Sequence, residues 1–158
     1  MSNDEAGPDR RAWLLSVGAA AALAVLLRAP GTGVAQEASN GWEQEIDKLL
    51  GGAKPVDGKL LIDLPEIAEN GNTVPFTLSV ESPMTEQEHV KSIFLLSTGN
   101  PQAMISAFHF TPASGKAAVA GRLRLAKTQD LITVAALSDG RFLMSKRLVK
   151  VTIGGCGG

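Results

Sequence analysis

The sequence has little of several residue types on which common functions depend. Its 158 residues include one cysteine, two histidines, no tyrosine and 4% aromatic residues, and the formal net charge is −1. One cysteine cannot close an intramolecular disulfide. One thiol and two imidazoles are also too few ligands for a zinc cluster. Without a charge excess or aromatic stacking platforms, binding to nucleic acid is not expected. The length fits one domain.

The first 35 residues have the pattern of an export signal. Arg10 and Arg11 precede an apolar run from Ala12 to Leu27, and small residues follow up to Ala35. The run is short for a bilayer span of about 20 residues, which favours a cleaved signal over an uncleaved anchor helix, the alternative. The arginine pair resembles a twin-arginine signal. We therefore expect residues 1–35 to be removed, with a nearby site such as Ala38 as a second possibility, and a folded protein to reach the periplasm.

A short helix and a linker are predicted over residues 36–58. Asn40 is the expected N-cap, acidic residues occupy the first turn, and Gly51-Gly52 is the expected end of the helix. Apolar residues recur at helical spacing, so the helix should pack on the domain through one face: Trp42, Ile46, Leu49 and Leu50.

From Lys59 onward the apolar pattern has a period of two, which predicts β-strands separated by turns. In "NTVPFTLSVE" one face is apolar, and Pro75 predicts that this strand lies at a sheet edge. Asp139-Gly140 predicts a hairpin. About seven strands over residues 59–153 predict an all-β fold, an immunoglobulin-like antiparallel β-sandwich. They are 59–64, 73–81, 90–97, 104–110, 117–125, 131–138 and 141–153.

The last strand leads directly to the single cysteine. Its pattern predicts Val149, Val151 and Ile153 facing inward, with pairing up to Ile153. Residues 154–158, "GGCGG", then form a predicted flexible arm in which Cys156 stands up to about 10 Å beyond Ile153, at roughly 3.3–3.6 Å per extended residue. The four glycines of this arm are Gly154, Gly155, Gly157 and Gly158.

The C-terminal "VTIGGCGG" resembles the tail of the SoxY family, the sulfur carriers of bacterial thiosulfate oxidation. The stretches "ENGNTVPFTLSVESPM", "FHFTP" and "TVAALSDGRF" resemble the same family, so the similarity extends over most of the domain. The resemblance implies that Cys156 holds thiosulfate-derived sulfur covalently as a cysteine S-thiosulfonate. It also implies a carrier that catalyses nothing itself and binds no metal, haem or other cofactor.

The family resemblance further implies a set of partner proteins. SoxZ is the expected heterodimer partner, and the export of folded proteins would let a partner without a signal travel with this chain. Transient docking is expected to a thiosulfate-coupling c-type cytochrome (SoxAX), a sulfate-releasing hydrolase (SoxB) and, where present, a sulfane dehydrogenase (SoxCD). Neither nucleic acid nor, after signal cleavage, a membrane is an expected partner.

Three other functions compete with the carrier. A secreted β-sandwich that dimerises through a C-terminal disulfide would explain one odd cysteine but not four neighbouring glycines. Ubiquitin-like sulfur carriers also end in Gly-Gly, but they would activate Gly158 and lack an export signal. A thiol enzyme would need a base beside Cys156, and the tail contains none.

The remaining candidate residues are interpreted as surface groups. His89 and His109 have no second ligand or nucleophile at a readable spacing. The carboxylates of Asp63, Glu66 and Glu69 are expected to be solvated. Three basic residues near the arm could attract anionic substrates, but the favoured interpretation is a solvated strand face: Lys146, Arg147 and Lys150.

We predict that the Cys156 thiol titrates like an ordinary cysteine. No Lys, Arg or His lies within the last five residues, so nothing in the tail stabilises a thiolate at neutral pH. The measurement is the pH dependence of alkylation of the reduced protein. Rapid alkylation well below the range of an unperturbed thiol would mean that charges on the folded domain act on the tail.

Overall fold

The computed structural model describes residues 41–56 and 58–153. The predicted helix is present as α1, Trp42–Leu50, and it ends where the glycine pair predicts. Gly51 adopts a left-handed conformation with φ of 56°, and its N–H donates to the Asp47 carbonyl at 2.9 Å. Glycine is favoured at such a C-cap because it has no Cβ. Asn40, the predicted N-cap, lies outside the described residues, and Gly41 occupies the cap position.

Eight strands follow in the described part of the chain, and the sequence predicted seven of them to within a few residues. The strand that was missed, β2, is only two residues long, too short for a period of two to be visible. A 3₁₀ turn over Pro112–Ser114 separates β5 from β6. The strands are β1 Leu60–Asp63, β2 Ile67–Ala68, β3 Val74–Val80, β4 Val90–Ser97, β5 Met104–His109, β6 Ala117–Leu123, β7 Gln129–Leu137 and β8 Phe142–Val151.

The strands form two sheets, which confirms the predicted β-sandwich. One sheet has the order β1-β3-β6 and the other the order β2-β8-β7-β4-β5. Strand pairing is antiparallel within both sheets except between β2 and β8, which run parallel. As a result β8, the strand that leads to the cysteine, has neighbours on both sides.

The prediction that the strand of Pro75 is an edge strand is wrong. Pro75 itself nevertheless has a neighbouring strand on one side only. β3 is the central strand of its sheet. Pairing with β1 begins only at Thr77, opposite Asp63, so Pro75 is paired only with Arg122 of β6. A proline without an N–H is tolerated here because the other side of the strand has no partner at this position.

The core fills the space between the two sheets. On β3 the buried residues Val74, Phe76, Leu78 and Val80 alternate with more exposed ones. They pack with buried residues of β4, β7 and β8, including Ile93 and Leu95. Removal of this apolar surface from water is the main stabilising contribution to the fold.

The five-stranded sheet is also covered on its other face, by α1. Ile46 of the helix packs with Leu96, Ile132 and Val134 of β4 and β7. Since residues on both faces of β4 are therefore buried, this strand lacks the alternating pattern of β3. The helix thus packs on the domain through its apolar face, as the sequence predicted.

The predicted hairpin at Asp139-Gly140 connects β7 to β8. Gly140 has a φ of 85°, which glycine adopts without steric cost. The Arg141 N–H donates to Asp139 Oδ1 at 2.9 Å, and the Arg141 side chain pairs with the same carboxylate. The backbone hydrogen bond from Arg141 is the largest contribution that lowers the pKa of Asp139 below its ordinary value.

We predict that Thr133→Val stabilises the protein. Thr133 of β7 is fully buried, and its hydroxyl has no hydrogen-bond partner among the described residues. Valine has nearly the same shape without the unpaired polar group, whose burial costs about 1–3 kcal/mol. Denaturant unfolding should show a free energy of unfolding higher by about 1 kcal/mol.

Thr77→Val is the matched control for this substitution. Thr77 is an exposed strand residue, and its replacement should change the stability by less than about 0.5 kcal/mol. A destabilised Thr133→Val variant would show that the hydroxyl has a partner, and would refute the prediction.

Candidate functional site: the root of the C-terminal arm

Cys156 and the four glycines of the predicted arm lie outside the described residues. The structure does describe the chain that leads to them, namely the end of β8 at Val151, followed by Thr152 and Ile153. We refer to Val151, Thr152 and Ile153 as the root of the arm. Its position decides at which point of the domain the chain continues towards the cysteine.

The predicted inward face of the last strand is correct only in part. Val149 is fully buried and Val151 is half-buried, but Ile153 is 67% exposed, so its predicted inward orientation is wrong. The pairing of β8 with β7 begins at Gln129, opposite Val149, and no β7 residue pairs with the root. Ile153 therefore lies beyond the part of the sheet that faces the core.

The predicted strand pairing up to Ile153 is wrong, because β8 ends at Val151. Single backbone hydrogen bonds nevertheless hold the root as far as Ile153. Thr152 donates its N–H to the Ala68 carbonyl at 3.1 Å, which continues the parallel ladder with β2. One step further, the Gly71 N–H donates to the Ile153 carbonyl at 2.7 Å. The Gly71 carbonyl in turn accepts from Leu125 N–H at 2.8 Å, which connects the root to the segment after β6.

Two threonine hydroxyls add side-chain hydrogen bonds at the root. The Thr128 hydroxyl accepts from the Val151 N–H at 2.9 Å and donates to the Val151 carbonyl at 3.5 Å. It thus takes the place of a neighbouring strand opposite Val151, beyond Gln129, the first residue of β7. The Thr152 hydroxyl donates to the Glu69 carbonyl at 2.9 Å. We call these contacts of Thr128, Thr152 and Gly71 the root clamp.

Sequence reasoning did not find the root clamp. Thr128 is 23 residues from Val151 along the chain, and Glu69 is 83 residues from Thr152. Neither threonine belongs to a recognisable motif. Asn70-Gly71 is a residue pair typical of turns, and the Asn70 side chain accepts from the Asn72 N–H at 2.9 Å.

A surface groove of about 480 Å³ lies beside β8. Ile67 and Leu148 are more than half exposed there, at 57% and 53%. Two carboxylates and two basic side chains line the groove, so its net charge is zero and does not favour the binding of an anion. The lining residues are Ile62, Asp63, Leu64, Glu66, Ile67, Arg147, Leu148 and Lys150.

The basic residues of β8 differ in their contacts. Lys146 pairs with Asp130 at 2.8 Å, and its ammonium nitrogen lies 6.0 Å from the centre of the Trp42 ring. It therefore connects α1, β7 and β8. Arg147 and Lys150 are exposed and line the groove. The predicted solvated strand face accordingly describes these two residues better than Lys146.

The two histidines lie apart from the root. His89 Nδ1 is 3.0 Å from the Thr85 carbonyl, and its backbone N–H donates to the Ser138 hydroxyl. His109 Nδ1 is 2.8 Å from the Ser92 hydroxyl, and its ring meets Phe94 edge to face. Each histidine is thus held by a local hydrogen bond on the domain.

Within residues 41–56 and 58–153, no group of three or more His, Cys, Asp or Glu side chains could hold a metal ion. In the same part of the chain no helix is long and apolar enough to cross a membrane. The segment predicted to be an export signal, residues 1–35, lies outside the described residues.

The two-sheet fold is shared with proteins of quite different function. Superoxide reductase (neelaredoxin) from Ignicoccus hospitalis is 18% identical, with a TM-score of 0.54, and the match covers 59% of this chain and 80% of that protein. A putative superoxide reductase from Thermotoga maritima is also 18% identical, with a TM-score of 0.53, and the match covers 62% and 92%. At this identity the similarity defines only a class of β-sandwich proteins.

The family is identified by two closer matches. The model of the sulfur oxidation protein SoxY matches residues 46–156, more than half of the chain. The sulfur carrier protein SoxY from Chlorobium limicola f. thiosulfatophilum is 31% identical, with a TM-score of 0.59, and the match covers 70% of this chain and 96% of that protein. Comparison with curated proteins gives no match.

The chain belongs to the SoxY family and has a sulfur-carrier role in Sox thiosulfate oxidation. The family resemblance stated from the sequence is therefore confirmed.

Proposed function

We propose that Cys156 is the residue on which this carrier holds its sulfur, and that it does so in the periplasm. The observation that carries the proposal is that the family match extends to residue 156, the only cysteine of the chain. Four glycines surround this thiol, and they would allow a thin chain to enter an enzyme channel that larger side chains would block. With Ile153 as the last described residue, the sulfur can reach about 10 Å beyond the root.

The attachment step is an oxidation. The thiol and thiosulfate combine to form Cys156–S–S–SO₃⁻, one proton is released, and two electrons pass to the c-type cytochrome partner, SoxAX. The new bond joins Sγ of Cys156 to the outer sulfur of thiosulfate. This chain contributes the thiol and its position, while the partner supplies the oxidant.

Release of sulfate is a hydrolysis. Water attacks the sulfonate sulfur, and the bond between that sulfur and the former outer sulfur of thiosulfate breaks. Sulfate and a proton are released, and Cys156 is left as a persulfide. The hydrolase SoxB is the partner for this step, and SoxCD, where present, oxidises the remaining sulfur. The tail has no base or cation of its own, so the bound sulfur would react only inside a partner. This favours a carrier that holds the sulfur while partner enzymes catalyse its reactions.

The assembly and location form the second part of the proposal. We infer that residues 1–35 direct export by the twin-arginine route and that SoxZ is the heterodimer partner. The support is the arginine pair and the apolar run of the sequence, together with membership of the SoxY family. Intact mass of the periplasmic protein would give the cleavage site directly.

We predict that Cys156→Ser abolishes thiosulfate oxidation. The protein has no other thiol, so intact mass spectrometry of the wild-type protein from thiosulfate-grown cells should place every sulfur adduct on the C-terminal peptide. The serine variant should fold normally and carry none. Normal oxidation by this variant, or a wild-type protein found only as a reducible disulfide dimer without sulfur adducts, would refute the carrier site.

We further predict that Gly155→Val slows the reactions with partners without changing stability. Valine restricts the backbone and widens the arm beside the thiol. Sulfate release by purified SoxB from the loaded protein should fall at least several-fold. Ala118→Val is the control, because Ala118 is an exposed residue of β6, and its turnover should match the wild type. Equal turnover in both variants would show that the glycines are incidental.

A further inference from the structure

The root of the arm has more hydrogen bonds than an exposed strand end normally has. Beyond Val149 the strand has lost its partner β7, and Ile153 is largely exposed. A strand end in this situation normally frays. Here successive hydrogen bonds from two sides continue to Ile153, the last described residue before the glycines.

The hydrogen bonds come from two separate segments. On one side Ala68 of β2 and the residues that follow it, Glu69 and Gly71, bond to Thr152 and Ile153. On the other side Thr128, in the connection before β7, bonds both backbone groups of Val151. The two segments are themselves joined by the hydrogen bond from Leu125 to Gly71.

We propose that Thr128 and Thr152 are positioning residues, whose hydroxyls fix the point from which the arm leaves the domain and thereby set the reach of Cys156 into partner enzymes. The proposal rests on the proposed function of Cys156. Neither threonine is part of the hydrophobic core, since both side chains are exposed. Their common effect is on the three residues that precede the glycines.

The length of the tether is the physical reason for such a clamp. With the root held at Ile153, three residues, 154–156, lead to the thiol. If the root frays back to Val149, the tether to the thiol lengthens to seven residues, 150–156. The effective concentration of a tethered group falls roughly as the −3/2 power of tether length, so full release would lower it by about three- to fourfold.

A clamped root also gives every partner the same docking geometry. An enzyme that contacts the domain beside β8 would then find the thiol at a fixed reach. A frayed root would move the point at which the arm is attached to the domain. It would also increase the conformational freedom of the arm, which is lost on docking. The effect should therefore appear in the association with partners and not in the reaction of the bound sulfur.

The test uses the wild-type protein and four variants. Thr128→Val and Thr152→Val each remove one hydroxyl while keeping a β-branched side chain that favours a strand. Thr128→Ser restores the hydroxyl. Thr77→Val is the matched control, an exposed strand threonine outside the root.

Two measurements are made on each protein. Amide hydrogen exchange at Val151 and Thr152 reports whether the root is held. Sulfate release by purified SoxB from the thiosulfate-loaded protein gives KM and kcat. For both valine variants we expect faster exchange and a KM raised by up to about fourfold with kcat unchanged. Thr128→Ser should resemble the wild type, and Thr77→Val should change neither quantity.

The possible failures are distinguishable. Exchange at the wild-type rate in Thr128→Val would overturn the clamp, and faster exchange with an unchanged KM would overturn its positioning role. A lower kcat without a change in KM would indicate a general structural effect and would also overturn it. Absence of sulfur on Cys156 in the wild-type protein, read by intact mass before the kinetics, would instead refute the proposed function.

Discussion

The pairing of β8 on both sides is the constraint on which the rest of the site depends. β7 holds the first eight residues of β8 in a long antiparallel ladder, and β2 holds its end in a short parallel one. The change of partner occurs near Val149, the last fully buried residue of the strand. A strand that is part of the core thus leads, within a few residues, to the segment that contains Cys156.

The rest of the domain keeps this strand in place. The five-stranded sheet is buried on one face by the three-stranded sheet and on the other by α1. Lys146 of β8 connects to α1 through Trp42 and to β7 through Asp130. A shift of one residue in the register of β8 would move Leu143 and Val149 out of the core, and Phe142 away from the cluster under α1.

The comparison with superoxide reductases separates fold from function. At 18% identity the two-sheet architecture is retained, while residues 41–56 and 58–153 of this chain offer no group of side chains for a metal ion. Under the proposed function the sulfur is held by Cys156, in the segment that follows the last strand, and the sandwich serves as its support. A function of this kind is indicated by a short stretch of sequence and not by the fold that carries it.

The sequence by itself determined the features whose signals are local. The helix end at Gly51, the hairpin at Gly140 and the alternation of β3 follow from residue type and spacing over a few positions, and they were predicted correctly. The family was likewise evident from the last eight residues. These features depend on backbone geometry and on the period of the apolar residues, which neighbouring residues fix.

The tertiary structure alone decided what depends on distant partners. β2 is too short to have a pattern, and it forms because its two residues pair with Lys150 and Val151. Ile153 continues the apolar alternation yet is exposed, because the neighbouring strand ends before it. The hydroxyl of Thr128 meets Val151 only after the intervening hairpin has folded. A hydrogen bond between residues far apart in the chain leaves no periodic trace in the sequence, so only the folded arrangement reveals it.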